Sequence, residues 1–440
     1  MGKRLLLLSL FIIVIINTMS AQNTDTSYSS QWKEINTLIN DKDLPKTALE
    51  KTNAIYTDAK KKGLQAQQVK ALLYRFYLEA DISEKNINDN IKSLDEEIAN
   101  ASSHEIKSIL LCIKATALNN YLNENRWKFY QRSNTVNFVK EDLETWSIDD
   151  FLTAITQQYT EALKPEAELQ QTSLEQYDDL ILKGNSRNLR PSLYDLIAHT
   201  ALDYFKSAES YTTKPEKEFE LTPPNALGNI AVFLSENFNS NTDSLSNTFL
   251  AIQLFQKLIS FHKNDKDPSA LIDVNIERIV YAKSNIENDD AEPYYTKALQ
   301  EITTTYPNNP QTEQAWYMLA QAHADKASGY QPYGDTTSRY EYIEAKKILD
   351  ARLVKKDTAN EGLSNMRNLL ASITKPSLST QVENINIINS PFRMYVQYRN
   401  VKTMYVRVLK MDGDEFENRW DENYWNKIVK VAPYKTFSQT

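Results

Sequence analysis

Three ionisable residues recur at a spacing of four in one segment of the chain: Asp195, His199 and Asp203. This spacing places their side chains on one face of an α-helix. Carboxylates beside a histidine could bind a metal ion or transfer protons. Buried polar groups, however, usually serve as hydrogen-bond partners for one another. We therefore predict a structural hydrogen-bond network between packed helices, with the metal or acid–base site as the alternative.

A second segment, Asn125–Arg132, mixes aromatic and basic residues. Such a mixture could stack on the bases of a single-stranded nucleic acid. The net charge of the chain is −8, whereas nucleic-acid binding depends on positive surfaces. We interpret the segment as an anchor that holds a loop on the helices, and we expect protein partners and no nucleic-acid partner.

Four tyrosines lie close together in a stretch rich in Gly, Pro and Thr: Tyr330, Tyr333, Tyr340 and Tyr342. Tyrosine is enriched at recognition surfaces, so contact with a partner protein is one interpretation. The default is that a long loop packs its aromatic rings against its own helices. These four are the residues that the sequence offers as a possible partner contact.

Motifs that carry catalysis are absent from the sequence. It contains no G-x-G-x-x-G, Walker loop, H-E-x-x-H or G-x-S-x-G. With one cysteine and four histidines, a zinc site built from Cys and His would be hard to assemble. Cys112 lies in the apolar run Ile109–Ile113, which is typical of a buried thiol. We predict a protein that is not an enzyme and binds no cofactor.

The elements that would position these residues are mostly helices. Only 8 glycines and 14 prolines occur in 440 residues, which favours helix. Pro45 is predicted to open one helix and Gly63 to close it. Further windows of helical periodicity are 90–101, 103–123, 147–163, 173–182, 191–204, 225–237, 243–261 and 268–285. Helices joined by short polar breaks predict αα-hairpins stacked into an array.

The clearest repeat lies at 293–353. Ala298 and Ile302 have the A-x3-F spacing of tetratricopeptide repeats, and so do Ala345 and Leu349. The W-x2-L-G-x2-Y positions are Trp316, Leu319, Ala320 and His323, with Ala replacing Gly and His replacing Tyr. The stretch between the two pairs, 328–339, is predicted to be a loop.

Near Pro376 the spacing between apolar residues changes from three or four positions, as in a helix, to two positions, as in a strand. Phe392–Arg399 and Met404–Val408 alternate apolar and polar residues, which predicts strands with one buried face. A β-sandwich usually needs about 100 residues. We therefore expect residues 376–440 to be an incomplete antiparallel β-sandwich domain.

The first 21 residues have the composition of a signal peptide. Lys3 and Arg4 precede the apolar run Leu5–Ile16, which is shorter than the ~20 residues of a membrane span. Cleavage after Ala21 would change the net charge from −8 to −10. We predict export to the periplasm or the cell surface, with no transmembrane helix after removal of the signal.

Five segments together resemble a known family. They are Leu44–Glu50, Val69–Arg75, Asn125–Tyr130, Arg190–His199 and Phe392–Val401. In this order they are similar to the N-terminal region of the large α2-macroglobulin-like proteins of Bacteroidetes-type bacteria, and the similarity covers most of the mature chain.

The resemblance implies a helical extension, residues 22–375, followed by the first macroglobulin-type β-sandwich domain. Members of the family are longer chains that inhibit endopeptidases: cleavage of a bait segment collapses the protein around the protease. In many members a thioester, in a motif beginning Cys-Gly-Glu-Gln, captures the protease. Here Cys112 is followed by Ile113 and Lys114, so no functional residue of the family is carried over.

The resemblance thus implies the scaffold portion of an exported protease trap, without bait region or thioester. The alternative is a stand-alone tetratricopeptide-like module that binds proteins of the cell envelope.

Overall fold

The structure is a computed structural model of the chain. It describes residues 28–82, 87–130, 141–181, 184, 186–207, 212, 217–240, 243, 245–286, 291–331, 333–354, 360–383, 385–387, 390–410 and 423–440. The predicted signal peptide, residues 1–21, lies outside the described residues. The chain forms two compact units, and the boundary between them lies between Ala315 and Trp316.

The first unit is helical throughout its described part, apart from its loops and one isolated β-bridge. Its helices, α1 to α13, are Ser29–Asn40, Pro45–Lys62, Gln65–Ile82, Ile87–Ala99, His104–Phe129, Ile148–Ala162, Glu166–Gln171, Leu193–Ser207, Pro223–Ala226, Ile230–Ser235, Asn247–His262, Ser269–Ser284 and Ala291–Thr305. Consecutive helices contact each other in several places, including α2 with α3, α5 with α6, and α11 with α12. The prediction of a mainly helical chain is confirmed.

Local sequence signals set several helix ends. Gly63 ends α2 in the left-handed conformation, with φ of +68°, which glycine adopts without steric cost. Ser147 and Asp150 form a capping box at the start of α6: each side chain accepts a hydrogen bond from the other residue's backbone N–H. Ser103 caps α5 in the same way as Ser147 caps α6, through the N–H of Ile106.

Two predicted helices are wrong. In the window 173–182, the only helical turn described is the 3₁₀ turn Leu174–Tyr177. The backbone N–H of Leu174 bonds the carbonyl of Pro191 and that of Leu193 bonds the carbonyl of Thr172, so this segment pairs with the entry to α8. Pairing between residues 172–174 and 191–193 competes with helix formation. Such pairing leaves no pattern in the local sequence that would predict it.

The window 225–237 is split by Gly228 into the short helices α9 and α10. A side chain at Gly228 would place its Cβ 2.7 Å from the carbonyl oxygen of Pro224, which no ordinary residue tolerates. The chain bends here towards Arg278, a fully buried residue of α12.

Arg278 links the short helices to the body of the first unit. Its Nη1 donates hydrogen bonds of 3.0 Å to the carbonyls of Ala226 and Gly228, and its guanidinium lies 4.4 Å from the ring centroid of Phe233. Burial lowers the pKa of Arg278 to about 9. The guanidinium is still charged at neutral pH, because this pKa lies above 7.

The second unit consists of three helices, four strands and a short helix among its described residues. The helices are α14 (Thr312–Ser328), α15 (Glu341–Arg352), α16 (Glu361–Thr374) and the short α17 (Tyr424–Ile428), and the strands are β1 (Ser377–Val382), β2 (Met394–Arg399), β3 (Met404–Val408) and β4 (Lys435–Gln439). The first residues of α14 belong to the first unit. The helices share an apolar core around Ala320, Ala345, Leu349 and Met366. The predicted loop at 328–339 carries neither helix nor strand in its described residues beyond Ser328.

The strands form two separate antiparallel ribbons, β1 with β2 and β3 with β4. Ser377 pairs with Arg399 at one end of the first ribbon, and Met404 pairs with Gln439 in the second. The prediction that Phe392–Arg399 and Met404–Val408 have a buried face is wrong for their described strands, in which Met394, Val396, Met404 and Val406 are only partly buried and the other residues are exposed. In these two-stranded ribbons, Tyr395 is 63% exposed and Tyr405 is 80% exposed.

The first ribbon is joined to α16 by side chains at the end of β2. Arg399 donates a 2.9 Å hydrogen bond to the carbonyl of Ser372, and Asn400 donates one of 2.7 Å to the carbonyl of Ile373. Asn400 has a positive φ of 53°, a conformation that asparagine tolerates better than most residues. The last carbonyls of α16, which a helix leaves without partners, are thus satisfied by the strand region.

We expect Arg278→Met to destabilise the first unit by about 1–3 kcal/mol, because two buried carbonyls lose their donor. Urea unfolding followed by circular dichroism measures the effect. Arg339→Met, at an exposed loop position, is the matched control and should change stability by less than about 0.5 kcal/mol. Equal unfolding midpoints for the two variants would contradict the role assigned to Arg278.

Candidate functional site

Helix α8 carries the ionisable residues that the sequence singles out. It contacts α5, α6, α7 and α11, and ten of its fifteen residues are buried. A buried helix must pair its polar side chains, because an unpaired buried charge is costly. The geometry around Asp195, His199 and Asp203 shows how each is paired.

Asp195 is fully buried and joins α8 to the end of α11. Its Oδ2 accepts hydrogen bonds from the backbone N–H of Ser192 at 2.9 Å and the hydroxyl of Ser192 at 2.7 Å. Its Oδ1 lies 2.8 Å from Nε2 of His262, whose Nδ1 lies 2.7 Å from Asp265. Burial opposes the charged form of His262, but the hydrogen bonds to Asp195 and then Asp265 outweigh it and raise the pKa.

His199 belongs to a different network. It is 3% exposed, and its Nδ1 lies 3.4 Å from Oε2 of Glu277 on α12. Lys206 forms an ion pair with Glu277 and lies 3.0 Å from Asp203. Burial alone would raise the pKa of Glu277, but His199 and Lys206 hold it at about 2, so this carboxylate stays ionised.

Asp195 and His199 therefore face residues of other helices, whereas Asp203 pairs with Lys206 on α8 itself, and none of the three pairs with another of the three. The interhelical network that the sequence predicts is present, and it consists of two separate parts. Within the described residues, no group of three or more His, Cys, Asp or Glu side chains is arranged to hold a metal ion.

A cleft of about 290 Å³ opens beside α8. Its lining residues are Leu174, Ile181, Gly184, Ser186, Arg187, Arg190, Leu196, His199, Thr200 and Asp203. Nη2 of Arg187 lies 2.8 Å from Oδ1 of Asp178. The Nε of Arg190 is buried without a hydrogen-bond partner in the part of the chain that the structure describes. The cleft thus combines cationic side chains with an apolar wall.

This arrangement suits binding of an anionic group better than covalent chemistry. The hydroxyl of Thr200 donates to the carbonyl of Leu196 at 2.7 Å, so it is held within its own helix. Burial raises the pKa of the Cys112 thiol to about 12, and a thiol is a weak nucleophile until it ionises.

A larger cleft of about 480 Å³ lies where the start of α3 meets the segment 172–179. Its wall includes the acidic residues Glu105, Glu175 and Asp179. Here the polar groups bind one another: Gln67 donates to Asp179 at 2.6 Å, and the hydroxyl of Tyr177 donates to Gln65 at 2.7 Å. These contacts stabilise the fold and leave this cleft a weaker candidate.

The four candidate tyrosines differ in exposure. Tyr333 is fully exposed, Tyr340 is 60% exposed with Arg339 over its ring, and Tyr330 is half-buried. Tyr342 packs against the core of α14, α15 and α16. Packing thus accounts for Tyr342, while a partner contact at the other positions stays a prediction.

The aromatic and basic segment continues α5 to Phe129, and its role as an anchor for a loop stays a prediction, because residues 131–140 lie outside the described residues. Phe129 is buried, with its ring centroid 5.0 Å from that of Phe151. Trp127 and Tyr130 are each 76% exposed. Arg132 lies outside the described residues.

None of the described helices combines the length and the apolar character that crossing a bilayer requires.

Stability should depend on pH through His262. Because its folded-state pKa lies above the ordinary value of about 6.5, its contribution is complete below that pH. The contribution is lost as pH rises through the folded-state pKa. Urea unfolding, measured from below pH 6.5 to above the folded-state pKa, should show that the free energy of unfolding of the wild type declines as the pH rises. This decline should be absent in His262→Gln. The exposed His104→Gln is the control and should retain the decline; a decline of the same size in His262→Gln would contradict the assignment.

The thiol of Cys112 should react slowly while the protein is folded. A pKa near 12 in place of about 9 lowers the thiolate fraction near neutral pH by about a thousandfold. Labelling with a chromogenic disulfide reagent measures this directly, since the chain has one cysteine. Rapid labelling in denaturant is the control, and equally rapid labelling of the folded protein would contradict burial of the thiol.

Comparisons of the chain with protein-family models, with curated proteins and with solved structures find no match.

Proposed function

We propose that the chain is the N-terminal scaffold portion of an exported α2-macroglobulin-like endopeptidase inhibitor, acting in the periplasm or at the cell surface. Residues 22–375 would be its helical extension, and residues 376–440 would begin its first macroglobulin-type β-sandwich domain. The observation that carries the proposal is the exposure of apolar side chains on both β-ribbons.

Many apolar side chains are exposed on the ribbons and on the described segments beside them. The exposed apolar residues of this region are Leu378, Val382, Ile385, Ile387, Phe392, Tyr395, Tyr398, Tyr405, Val408, Trp425, Val429, Val431, Tyr434 and Phe437. Monomeric proteins rarely expose large contiguous apolar patches, and a two-stranded ribbon alone is marginally stable in water. A second sheet, packed about 10 Å away as in β-sandwiches, would cover these side chains.

The helices support such a domain from one end. Arg399 and Asn400 bind the last carbonyls of α16, which ties β2 to the helical core of the second unit. A helical scaffold that holds the first strands in place agrees with the order of the segments that resemble the family.

The proposed role assigns no catalytic or capturing residue to this chain. Its one cysteine has a buried thiol and is not followed by the thioester motif. Capture of a protease would depend on later domains of the full-length protein.

The test compares the complete product of the natural gene with residues 22–440 alone. We expect the complete product to inhibit trypsin acting on a large protein substrate, and residues 22–440 to leave trypsin fully active. We also expect a dye that binds exposed apolar surface to fluoresce more strongly with residues 22–440. A complete product without further β-sandwich domains, or without any inhibition, would contradict the proposal.

One observation favours the alternative of a tetratricopeptide-like binding module of the cell envelope. Ala298, Ile302, Ala345 and Leu349, at positions of that repeat pattern, are all buried. The alternative predicts that residues 22–440 are monomeric, whereas uncovered strands predict self-association; size-exclusion chromatography with light scattering distinguishes the two.

A further inference from the structure

We propose that the cleft beside α8 binds the carboxylate group of an aliphatic ligand about as large as one or two amino-acid residues, with Arg190 as the main charged contact. This cleft lies in the first unit, and the proposal does not depend on the proposed function.

The charges around the cleft leave Arg190 uncompensated. Arg187 is paired with Asp178, and Asp203 is paired with Lys206. Among the described residues, Arg190 has neither an ion-pair partner nor a hydrogen bond to its buried Nε. An N–H that is shielded from water without an acceptor costs free energy, which a bound carboxylate would recover. Arginine also matches the two oxygens of a carboxylate in a bidentate geometry.

His199 supplies a second polar group in the wall. It is 97% buried, and its Nδ1 lies 3.4 Å from Glu277, beyond the usual 2.7–3.2 Å of an N–H···O hydrogen bond. Its ring can donate to an anion without giving up a strong existing bond. A cation is a poor occupant, because Arg190 carries a positive charge that no ion pair among the described residues offsets.

The rest of the lining selects among anions. Leu174, Ile181 and Leu196 form an apolar wall within about 290 Å³. This volume is at the lower end of the range for small-molecule sites. Inorganic phosphate would leave the apolar wall uncovered, whereas an aliphatic side chain next to a carboxylate would fill it. Both a free short-chain carboxylic acid and the C-terminal residue of a peptide have this chemistry.

Isothermal titration calorimetry on the full chain tests the site with defined probes. They are 4-methylpentanoate, N-acetyl-alanyl-leucine, the amide of that peptide, and inorganic phosphate. Binding of either carboxylate with no binding of the amide supports the proposal, and the tighter of the two carboxylates identifies the source. Binding of phosphate as tightly as the carboxylates, equal binding of acid and amide, or no binding of any probe overturns it.

Variants assign the contact to Arg190. Arg190→Gln should weaken carboxylate binding about tenfold or more, since a hydrogen bond to a charged group is lost. Arg339→Gln makes the same charge change at an exposed position outside the cleft and should bind as the wild type. Ile181→Asp adds a negative charge to the apolar wall and should also abolish binding, with circular dichroism reporting its fold. Unchanged affinity in both Arg190→Gln and a folded Ile181→Asp overturns the proposal.

Discussion

The described first unit is organised by one constraint: α8 is packed on several sides and yet carries ionisable residues. Burying a charge is favourable only where an opposite charge and hydrogen bonds accompany it. Asp195 meets this condition through His262 at the end of α11, and Lys206 meets it through Glu277 on α12. Apolar contacts alone are non-directional, so these pairs determine which turns of the helices face each other.

Arg278 plays a comparable part where helix formation fails. The split at Gly228 exposes carbonyls that no longer have helical partners, and the guanidinium of Arg278 binds two of them. A hydrophobic residue of similar size would fill the same space and leave those oxygens unpaired. The cost of an irregular backbone is thus offset by one charged side chain from a neighbouring helix.

Local patterns predict the elements better than they predict the site. The apolar spacing, Pro45, Gly63 and Ser147 determine helices and their ends within a few residues, because the interactions involved span one turn. Met404–Val408 is likewise a strand with the predicted bounds. The pairing of segment 172–174 with 191–193 could not be predicted, since it joins residues that are distant in sequence. The same reason hides the cleft: Arg190 looks like an ordinary loop residue until the fold places it beside His199. The spacing on α8 draws attention to His199, but Glu277, which it faces, lies 78 positions later in the sequence.

The joint between α16 and the first ribbon has a mechanical consequence. Arg399 and Asn400 hold the carbonyls of Ser372 and Ile373 across the short connection from helix to strand. A pulling force on the far end of β2 would therefore load the final turn of α16 directly, before the connection itself is stretched. Rotation of the ribbon would strain the same two hydrogen bonds, so a displaced strand would pull on the end of the helix.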